Sequence, residues 1–347
     1  MKTRLELMKI LGIALLIVVM PFVAYTVEKP VLNVYNWDDY IDEETIPEFE
    51  EKFGVKVNYD VYDSNESLLA KLQAGASGFD VIFPSDYMVN IMIQLDLLEP
   101  LDKTQIPNIA NLDPALLDQP FDPGNKYSLP YTWGTAGIGY RADKVTEPVE
   151  SWSVMFDPKY EGRIVMLDDV RETLGAALKY LGFSFNSTNP EELAKAKELL
   201  IQQKSIIKAY VSAQGEQMLL SSDAWLVHNW IGDIYRVAAE DPNIKYVIPK
   251  EGSSKFIDTC AIPKTAQNKE FAHQFINFLL EAEVDARIHN RIQYLTANKA
   301  AMPLLDEALR NTMENMSAEI AEKLEYIEEL GRDTRLWDKT WTEIKAH

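Results

Sequence analysis

Short runs of β-forming residues alternate with longer helical patterns along most of this 347-residue chain, and this alternation limits what the chain can fold into. The first series places strands at residues 31–35, 55–59 and 80–83 and helices at residues 45–53, 66–74 and 86–95. Strands that alternate with helices pair in parallel, because each helix carries the chain back across the sheet. The sequence therefore predicts an α/β fold, with mostly parallel sheets and helices on both faces.

A second alternation begins at residues 164–167 and predicts another unit of the same kind. Asn189 is a typical helix N-cap, and Pro190 suits the first position of the helix that follows. Further strands at residues 206–211, 225–228 and 245–248 alternate with helices at residues 173–181, 216–221 and 231–239. The sequence thus predicts two α/β units.

A glycine-rich, strand-like stretch at residues 129–140 joins the two units. Glycine within a strand marks a hinge or a close approach of two backbones, so we expect the chain to cross between the units here. The helical pattern at residues 269–280 indicates a return to the first unit, and residues 318–330 and 333–345 read as terminal helices. We therefore assign residues 28–136 plus 261–317 to one lobe, residues 137–260 to a second lobe, and residues 318–347 to C-terminal helices.

The N-terminus has the layout of an export signal. Lys2, Arg4 and Lys9 precede an almost uncharged run at residues 10–27. Such a run is typical of a secretory signal peptide, and it is long enough to serve instead as an uncleaved membrane anchor. We expect the chain to be exported, with residues 1–27 either removed or retained as a tether.

Charge and composition favour a binding protein over an enzyme. The formal net charge of −20 repels nucleic acid and attracts cations. The four histidines lie far apart and no metal-binding or phosphate-binding motif occurs, so we expect neither a metal nor a cofactor. Cys260 has no second cysteine to pair with and reads as a buried apolar residue. Adjacent acids such as Asp38 and Asp39 leave a carboxylate-based hydrolase as a minor alternative.

The end of the first predicted strand carries an aromatic and acidic cluster. Trp37, Asp39 and Tyr40 supply a carboxylate and aromatic faces. Together these groups can replace the water around an ammonium group and cover an alkyl chain. The segment is equally compatible with a capped helix whose aromatic residues lie in the core. Other segments must decide between the two interpretations.

Ten short motifs, spread in order over nearly the whole chain after residue 27, match one known family. They lie at residues 35–40, 60–66, 78–85, 111–114, 130–134, 167–172, 229–233, 248–252, 297–301 and 341–345. With these motifs the chain resembles the periplasmic spermidine/putrescine-binding proteins, the substrate-binding components of polyamine ABC importers. The resemblance implies a type II two-lobe periplasmic-binding-protein fold that holds its ligand in a cleft between the lobes.

The resemblance also implies which residues contact the polyamine. A linear polyamine has positive ends separated by methylene groups, so it needs carboxylates at separated places and apolar walls between them. Residues of the first lobe, of the second lobe with the hinge, and of the returning chain would supply both. In chain order these twelve residues are Trp37, Asp39, Tyr40, Ser85, Tyr87, Asp169, Glu172, Trp230, Asp233, Phe256, Asp258 and Tyr294.

Each of these residues also has a purely structural alternative. Trp230 and Phe256 are of the type that fills hydrophobic cores. Asp233 can cap a helix, and Glu172 can stabilise a helix N-terminus through the helix dipole. Asp258 is the hardest to explain in structural terms, because it lies in an apolar strand where an unpaired carboxylate is costly.

The motifs leave the preferred polyamine open. Residues 229–233 resemble the putrescine-type members of the family, whereas residues 168–172 resemble the spermidine-type members. We expect an exported, monomeric receptor that binds putrescine, spermidine or both and delivers them to the permease subunits of an ABC importer. It would catalyse no reaction and bind no nucleic acid. The alternative is a polyamine sensor tethered to the membrane through residues 10–27.

Overall fold

A computed structural model describes residues 29–75, 78–212, 214–315 and 318–347. The predicted signal or anchor at residues 1–27 lies outside these ranges. The strands are β1 (Val31–Trp37), β2 (Lys56–Tyr62), β3 (Val81–Ile82), β4 (Ser128–Arg141), β5 (Ile164–Leu167), β6 (Ile207–Val211), β7 (Leu226–Trp230), β8 (Ile244–Val247), β9 (Ser254–Ala261), β10 (Leu295–Thr296) and β11 (Glu325–Tyr326).

The helices occupy the connections between these strands, as the alternating pattern predicts. They are α1 (Thr45–Phe53), α2 (Asn65–Gln73), α3 (Asp86–Gln94), α4 (Val170–Tyr180), α5 (Pro190–Gln203), α6 (Gly215–Leu220), α7 (Ile231–Glu240), α8 (Lys269–Leu279), α9 (Ala282–Ile292), α10 (Glu307–Asn315), α11 (Ala318–Ala321) and α12 (Thr334–Ala346). Helices α9 and α10 were not predicted from the sequence.

The strands form two parallel groups joined by two antiparallel strands. Strands β2, β1 and β3 pair in parallel, and so do β6, β5 and β7. Strands β4 and β9 lie between the groups and run antiparallel to each other, with β9 also antiparallel to β3 and β4 to β7. We call the group around β1, with helices α1–α3, α8 and α9, the first lobe. The group around β5, with helices α4–α7, is the second lobe. The parallel pairing predicted within each unit is confirmed, whereas the exact residue boundaries of the lobes stay a prediction.

Several helices begin where the sequence supplies a residue that can cap the helix N-terminus. The Asn189 side chain accepts a hydrogen bond from the backbone of Glu191, and Pro190 opens helix α5, as predicted. The Ser64 hydroxyl caps α2 in the same way by accepting from the Ser67 N–H at 3.2 Å. These caps fix the points at which the chain leaves each strand and turns into a helix.

The glycines of strand β4 allow close packing at the crossing between the lobes. A Cβ atom on Gly139 would lie 2.4 Å from Ile234 Cδ1 of α7, and one on Gly137 would lie 2.6 Å from the Val247 carbonyl oxygen of β8. Real side chains do not approach this closely, so a larger residue would force the Val247 backbone at Gly137, or the Ile234 side chain at Gly139, to move. The close backbone approach predicted for residues 129–140 is therefore confirmed. Cys260 is buried in β9, also as predicted.

The C-terminal segment differs from its prediction. The expected helix at residues 318–330 is wrong beyond Ala321, because residues Glu325–Tyr326 form strand β11 and pair in parallel with the start of β9. The Glu325 carboxylate then accepts hydrogen bonds from Lys179 and Ser184 of the second lobe. Helix α12 packs on α4 and α5, with Trp337 and Ile344 fully buried. The end of the chain thus fastens to the second lobe.

Within the described part of the chain, no helix combines the length and the apolar character needed to span a membrane.

Candidate ligand-binding site

The predicted site residues lie at the carboxyl ends of parallel strands and on the strands that cross between the lobes. Tyr40 follows β1 and Ser85 follows β3 in the first lobe, while Asp169 follows β5 and Trp230 ends β7 in the second. Parallel strands of one sheet end at the same edge, which is where ligands bind in open α/β sheets. Phe256 and Asp258 lie on strand β9, which passes between the two edges.

Asp258 is a buried carboxylate held by two hydroxyl groups of the first lobe. Its Oδ2 accepts a hydrogen bond from the Tyr40 hydroxyl at 2.6 Å, and its Oδ1 accepts one from the Ser85 hydroxyl at 2.6 Å. The Asn65 side chain donates to the Ser85 hydroxyl at 3.0 Å and so fixes its position. Burial raises the pKa of Asp258 to about 6, although the two hydrogen bonds lower it. Both partners are neutral, so the charge of Asp258 is available for a cation.

Glu172 is the corresponding carboxylate of the second lobe. It lies in the first turn of α4 with only 2% of its surface exposed. The Ser254 hydroxyl of β9 lies 2.9 Å from Oε1 and 2.8 Å from Oε2, and the His228 Nε2 lies 3.9 Å from Oε2. Burial raises the pKa of Glu172 to about 8, and the Asp169 carboxylate adds to the increase, while the hydrogen bond from Ser254 lowers it. Within the described part of the chain, no lysine or arginine forms an ion pair with Glu172 or Asp258.

Aromatic residues from both lobes surround the two carboxylates. The Tyr294 ring lies edge-on to Tyr40 with centroids 5.1 Å apart, and Phe256 lies 6.2 Å from Tyr294. The Trp37 indole donates to the Phe83 carbonyl at 2.8 Å, which fixes its orientation. These four predicted aromatic residues, together with the half-buried Trp230, belong to one hydrophobic cluster. They supply the flat apolar surface that a methylene chain requires.

Asp39 and Asp233 differ from Asp258 and Glu172 because they form ion pairs with arginines. Arg236 of α7 forms ion pairs of 2.8 Å with both Asp39 Oδ2 and Asp233 Oδ1. Arg291 of α9 binds the other oxygen of Asp39 at 2.8 Å. Tyr294 donates a hydrogen bond to Asp233 at 3.3 Å. Asp39 and Arg236 come from different lobes, so this group of charges connects the lobes at the edge of the site.

Asp169 and Tyr87 take up structural hydrogen bonds at the other edge. Asp169 is the N-cap of α4, where its Oδ1 accepts from the backbone N–H groups of Arg171 and Glu172 at 2.8 and 2.9 Å. Burial raises the pKa of Asp169, and these two backbone hydrogen bonds lower it. The Tyr87 hydroxyl donates to Glu66 at 3.1 Å. The structure therefore gives both residues a structural partner, and their contact with a ligand stays a prediction.

Three further residues shape the site and were missed in the sequence. Ser254 lies on the same face of β9 as Phe256 and Asp258, so the two-residue period of a strand could have identified it. The same two-residue period could have identified His228, which lies two positions before Trp230 on β7. Arg236 carried no such signal, because its ion pair with Asp39 joins residues that are distant in sequence.

Metal coordination has no support in the described ranges, where no three His, Cys, Asp or Glu side chains come close enough to hold a metal ion. The arrangement instead presents two buried, unpaired carboxylates, one from each side, with aromatic rings around them. This combination suits an organic molecule that carries positive charge at more than one place.

Comparison with known proteins agrees with this chemistry. The sequence profile of the family described as bacterial extracellular solute-binding protein matches residues 44–343. The putrescine-binding periplasmic protein SpuD of Pseudomonas aeruginosa is 40% identical over 344 residues, which cover 93% of this chain and 94% of that protein. The spermidine/putrescine-binding periplasmic protein of Escherichia coli is 34% identical over 326 residues, covering 93% of this chain and 94% of that protein.

A solved structure shows the same fold. The spermidine/putrescine ABC transporter substrate-binding protein PotD from Streptococcus pneumoniae superimposes with a TM-score of 0.82 at 34% sequence identity. The match covers 92% of this chain and 99% of the PotD chain. The two-lobe architecture predicted from the motifs is thereby confirmed.

Proposed function

Because this chain belongs to the bacterial extracellular solute-binding protein family, we propose that it is an extracytoplasmic receptor that binds putrescine, spermidine or both for an ABC importer. The observation that carries the proposal is the pair Glu172 and Asp258. Both carboxylates are buried, both accept hydrogen bonds from neutral hydroxyl groups, and neither is neutralised by a basic side chain among the described residues. Buried charges of one sign are costly unless a partner of the other sign completes the site.

The names of the relatives support a polyamine as this partner. At neutral pH a polyamine carries a positive charge on each amino group, because alkyl amines have pKa values near about 10. Two ammonium ends can therefore meet two carboxylates while the methylene groups lie along the rings of Tyr40, Tyr294 and Phe256. The twelve residues predicted from the motifs are proposed to line this site, with Asp39 and Asp233 acting partly through Arg236.

The partners and the absence of catalysis are part of the same proposal. The receptor delivers its ligand to permease subunits and releases it chemically unchanged, as a monomer. Light scattering on the purified protein tests the monomer, and mass spectrometry of the recovered ligand tests the absence of a reaction. Whether residues 10–27 tether the protein is tested by determining the N-terminus of the protein isolated from cells.

The decisive experiment is a calorimetric panel with putrescine, cadaverine, spermidine, spermine and arginine on ligand-stripped protein. We expect binding of one molecule per chain for at least one of the linear polyamines, and no comparable heat with arginine. Absence of heat with every polyamine, in protein that melts cooperatively, would refute the proposed function. Turnover of a sugar substrate without polyamine binding would favour the hydrolase instead.

A further inference from the structure

Glu172 has the fewest hydrogen-bond partners of the acidic residues in the site. Both of its oxygens face a single hydroxyl group, that of Ser254. The adjacent Arg171 is directed elsewhere, since its guanidinium donates to the Glu328 carbonyl oxygen at 2.7 Å and to Asn186 Oδ1 at 2.7 Å. One carboxylate with 2% exposure thus lacks a direct cationic contact in the described chain.

The elements packed against Glu172 offer little compensation for its charge. Its own helix α4 presents Asp169, which repels the charge, and Arg171, whose attraction is weaker. Strand β7 presents the neutral Trp230 indole and the fully buried His228. Strand β8 contributes Tyr246, an uncharged phenol whose burial raises its pKa well above the ordinary value.

His228 cannot supply the missing positive charge. Neither of its ring nitrogens has a hydrogen-bond partner among the described residues, and its ring packs edge-on against Trp152 with centroids 4.9 Å apart. Burial lowers the pKa of His228 to about 3, so the imidazole is neutral at physiological pH. A negative charge on Glu172 would therefore face a neutral ring, a hydroxyl, an indole and another carboxylate.

We propose that Glu172 carries a proton while the site is empty and gives it up when an ammonium group of the ligand arrives, so that cation binding is coupled to proton release. The proposal rests on the polyamine-binding function proposed above and adds a proton to its stoichiometry. The O–H bond of the neutral carboxyl group breaks, the proton passes to solvent buffer, and the resulting carboxylate accepts a charge-assisted hydrogen bond from the ammonium N–H.

The raised pKa of about 8 for Glu172 in the empty site agrees with this geometry. At pH 7 such a group is protonated in about nine-tenths of the molecules. Asp258 and Asp233, with pKa values of about 6, are largely ionised at the same pH and contribute few protons. Because the ligand binds the ionised form of Glu172, the dissociation constant of the ligand should fall by up to about tenfold as the pH rises from 6 to 7. The dependence should flatten above about pH 8.

Calorimetry in several buffers tests the coupling on wild-type protein. Putrescine and spermidine are titrated at pH 7.0 in phosphate, HEPES and Tris, whose ionisation enthalpies differ. A released proton is taken up by the buffer, so the observed heat varies with the buffer and the slope gives the number of protons. We expect about one proton per bound ligand, as judged from the protonated fraction of Glu172.

Two variants identify the source of the proton. Glu172→Gln should reduce the release to nearly zero, and Asp113→Asn, which alters an acid outside the site, should leave it unchanged. Infrared difference spectra provide a measurement that needs no variant: a protonated-carboxyl band should disappear when putrescine is added to wild-type protein. Normal binding heat that does not depend on the buffer would overturn this inference and leave the proposed function intact. An unchanged release in Glu172→Gln would also overturn it, whereas absence of binding would overturn both.

Discussion

Tyr40 and Asp258, which are 218 positions apart in the sequence, meet in a hydrogen bond of 2.6 Å between the tyrosine hydroxyl and the carboxylate Oδ2. The bond joins the loop after strand β1 to strand β9, the strand that passes between the lobes. Ser85 holds the other oxygen at the same distance. The carboxylate is therefore positioned by the first lobe even though it lies on a crossing strand, and it needs no basic residue to hold it in place.

Replacing Asp258 with Asn tests whether this carboxylate serves the ligand or the fold. The change preserves the shape of the side chain and removes its charge, so the loss should fall on binding. Removing one member of an enclosed charge pair costs about 2–5 kcal/mol. This corresponds to roughly thirty-fold to several-thousand-fold weaker binding of putrescine or spermidine. Calorimetry gives the affinity, and thermal unfolding of the ligand-free variant gives the stability.

The matched control is Asp113→Asn, because the Asp113 carboxylate accepts a hydrogen bond from the Ala115 backbone N–H but belongs to a surface turn outside the site. Its polyamine affinity should equal that of the wild type. A structural role for Asp258 predicts the reverse pattern for Asp258→Asn. The variant would then melt at a lower temperature while its polyamine affinity stayed within about threefold, a change equivalent to less than about 1 kcal/mol.

The ligand-free protein should become less stable as the pH rises from about 6.5 to about 8.5. Burial raises the pKa of Glu172 to about 8 and that of Asp86 to about 7. In the unfolded chain these carboxyl groups ionise near about pH 4, so over this range the folded state binds more protons than the unfolded state. The free energy of unfolding should fall by an amount on the order of 2–4 kcal/mol.

One other buried group, His228, partly offsets this trend. His228, whose pKa is lowered to about 3, favours folding as the pH rises through its ordinary value of 6.5, so it offsets only a small part of the loss, at the lower end of the window. Scanning calorimetry in buffers of small ionisation enthalpy should show a decreasing Tm across the window and a shallower decrease for Glu172→Gln. A Tm that stays constant or increases between pH 6.5 and 8.5 would contradict the assignment of these raised pKa values.

Much of the fold was predictable because local patterns determine it. The two-residue and helical periods fixed most strands and helices to within a few positions, and the caps at Asn189 and Pro190 identified the start of α5. Asp258 stood out as an acid in an apolar strand, and the structure shows it buried between two hydroxyl groups. In these cases the signal lay within one element of the chain.

Contacts between distant parts of the chain could not be read in the same way. Nothing near Asp39 indicates that Arg236 and Arg291 would occupy both of its oxygens. The helix predicted at residues 318–330 wrongly included residues 325 and 326. Their strand structure depends on pairing with the start of β9, a contact that only the folded chain provides. The structure shows Asp169 as the N-cap of α4, a role that the sequence analysis did not assign to it, and its contact with a ligand stays a prediction.

Arg236→Gln should accelerate ligand release with little effect on stability. The substitution removes the 2.8 Å ion pairs to Asp39 and Asp233 and hence a link between the lobes. Asp39 is exposed, so loss of its ion pair should change the free energy of unfolding by less than about 1 kcal/mol, and Asp233 keeps its hydrogen bond from Tyr294. Stopped-flow measurement of dissociation, followed by tryptophan fluorescence, should show a faster rate. Arg291→Gln is the control, since it removes a pair within the first lobe and should leave the release rate near the wild-type value.

Gly232→Ala tests how Tyr294 is held over the site. A Cβ atom at position 232 would lie 2.1 Å from Tyr294 Cδ2. The ring must therefore move away from its contacts with Tyr40 and Asp233. Overpacking of this kind costs about 1–3 kcal/mol, and the lost ring position should weaken polyamine binding as well. Thermal unfolding and calorimetry measure the two effects.

Gly78→Ala is the matched control, because no atom lies within 4 Å of a Cβ built there, and both quantities should be unchanged. A Gly232→Ala variant with wild-type stability and affinity would show that the position of Tyr294 is unimportant for the site.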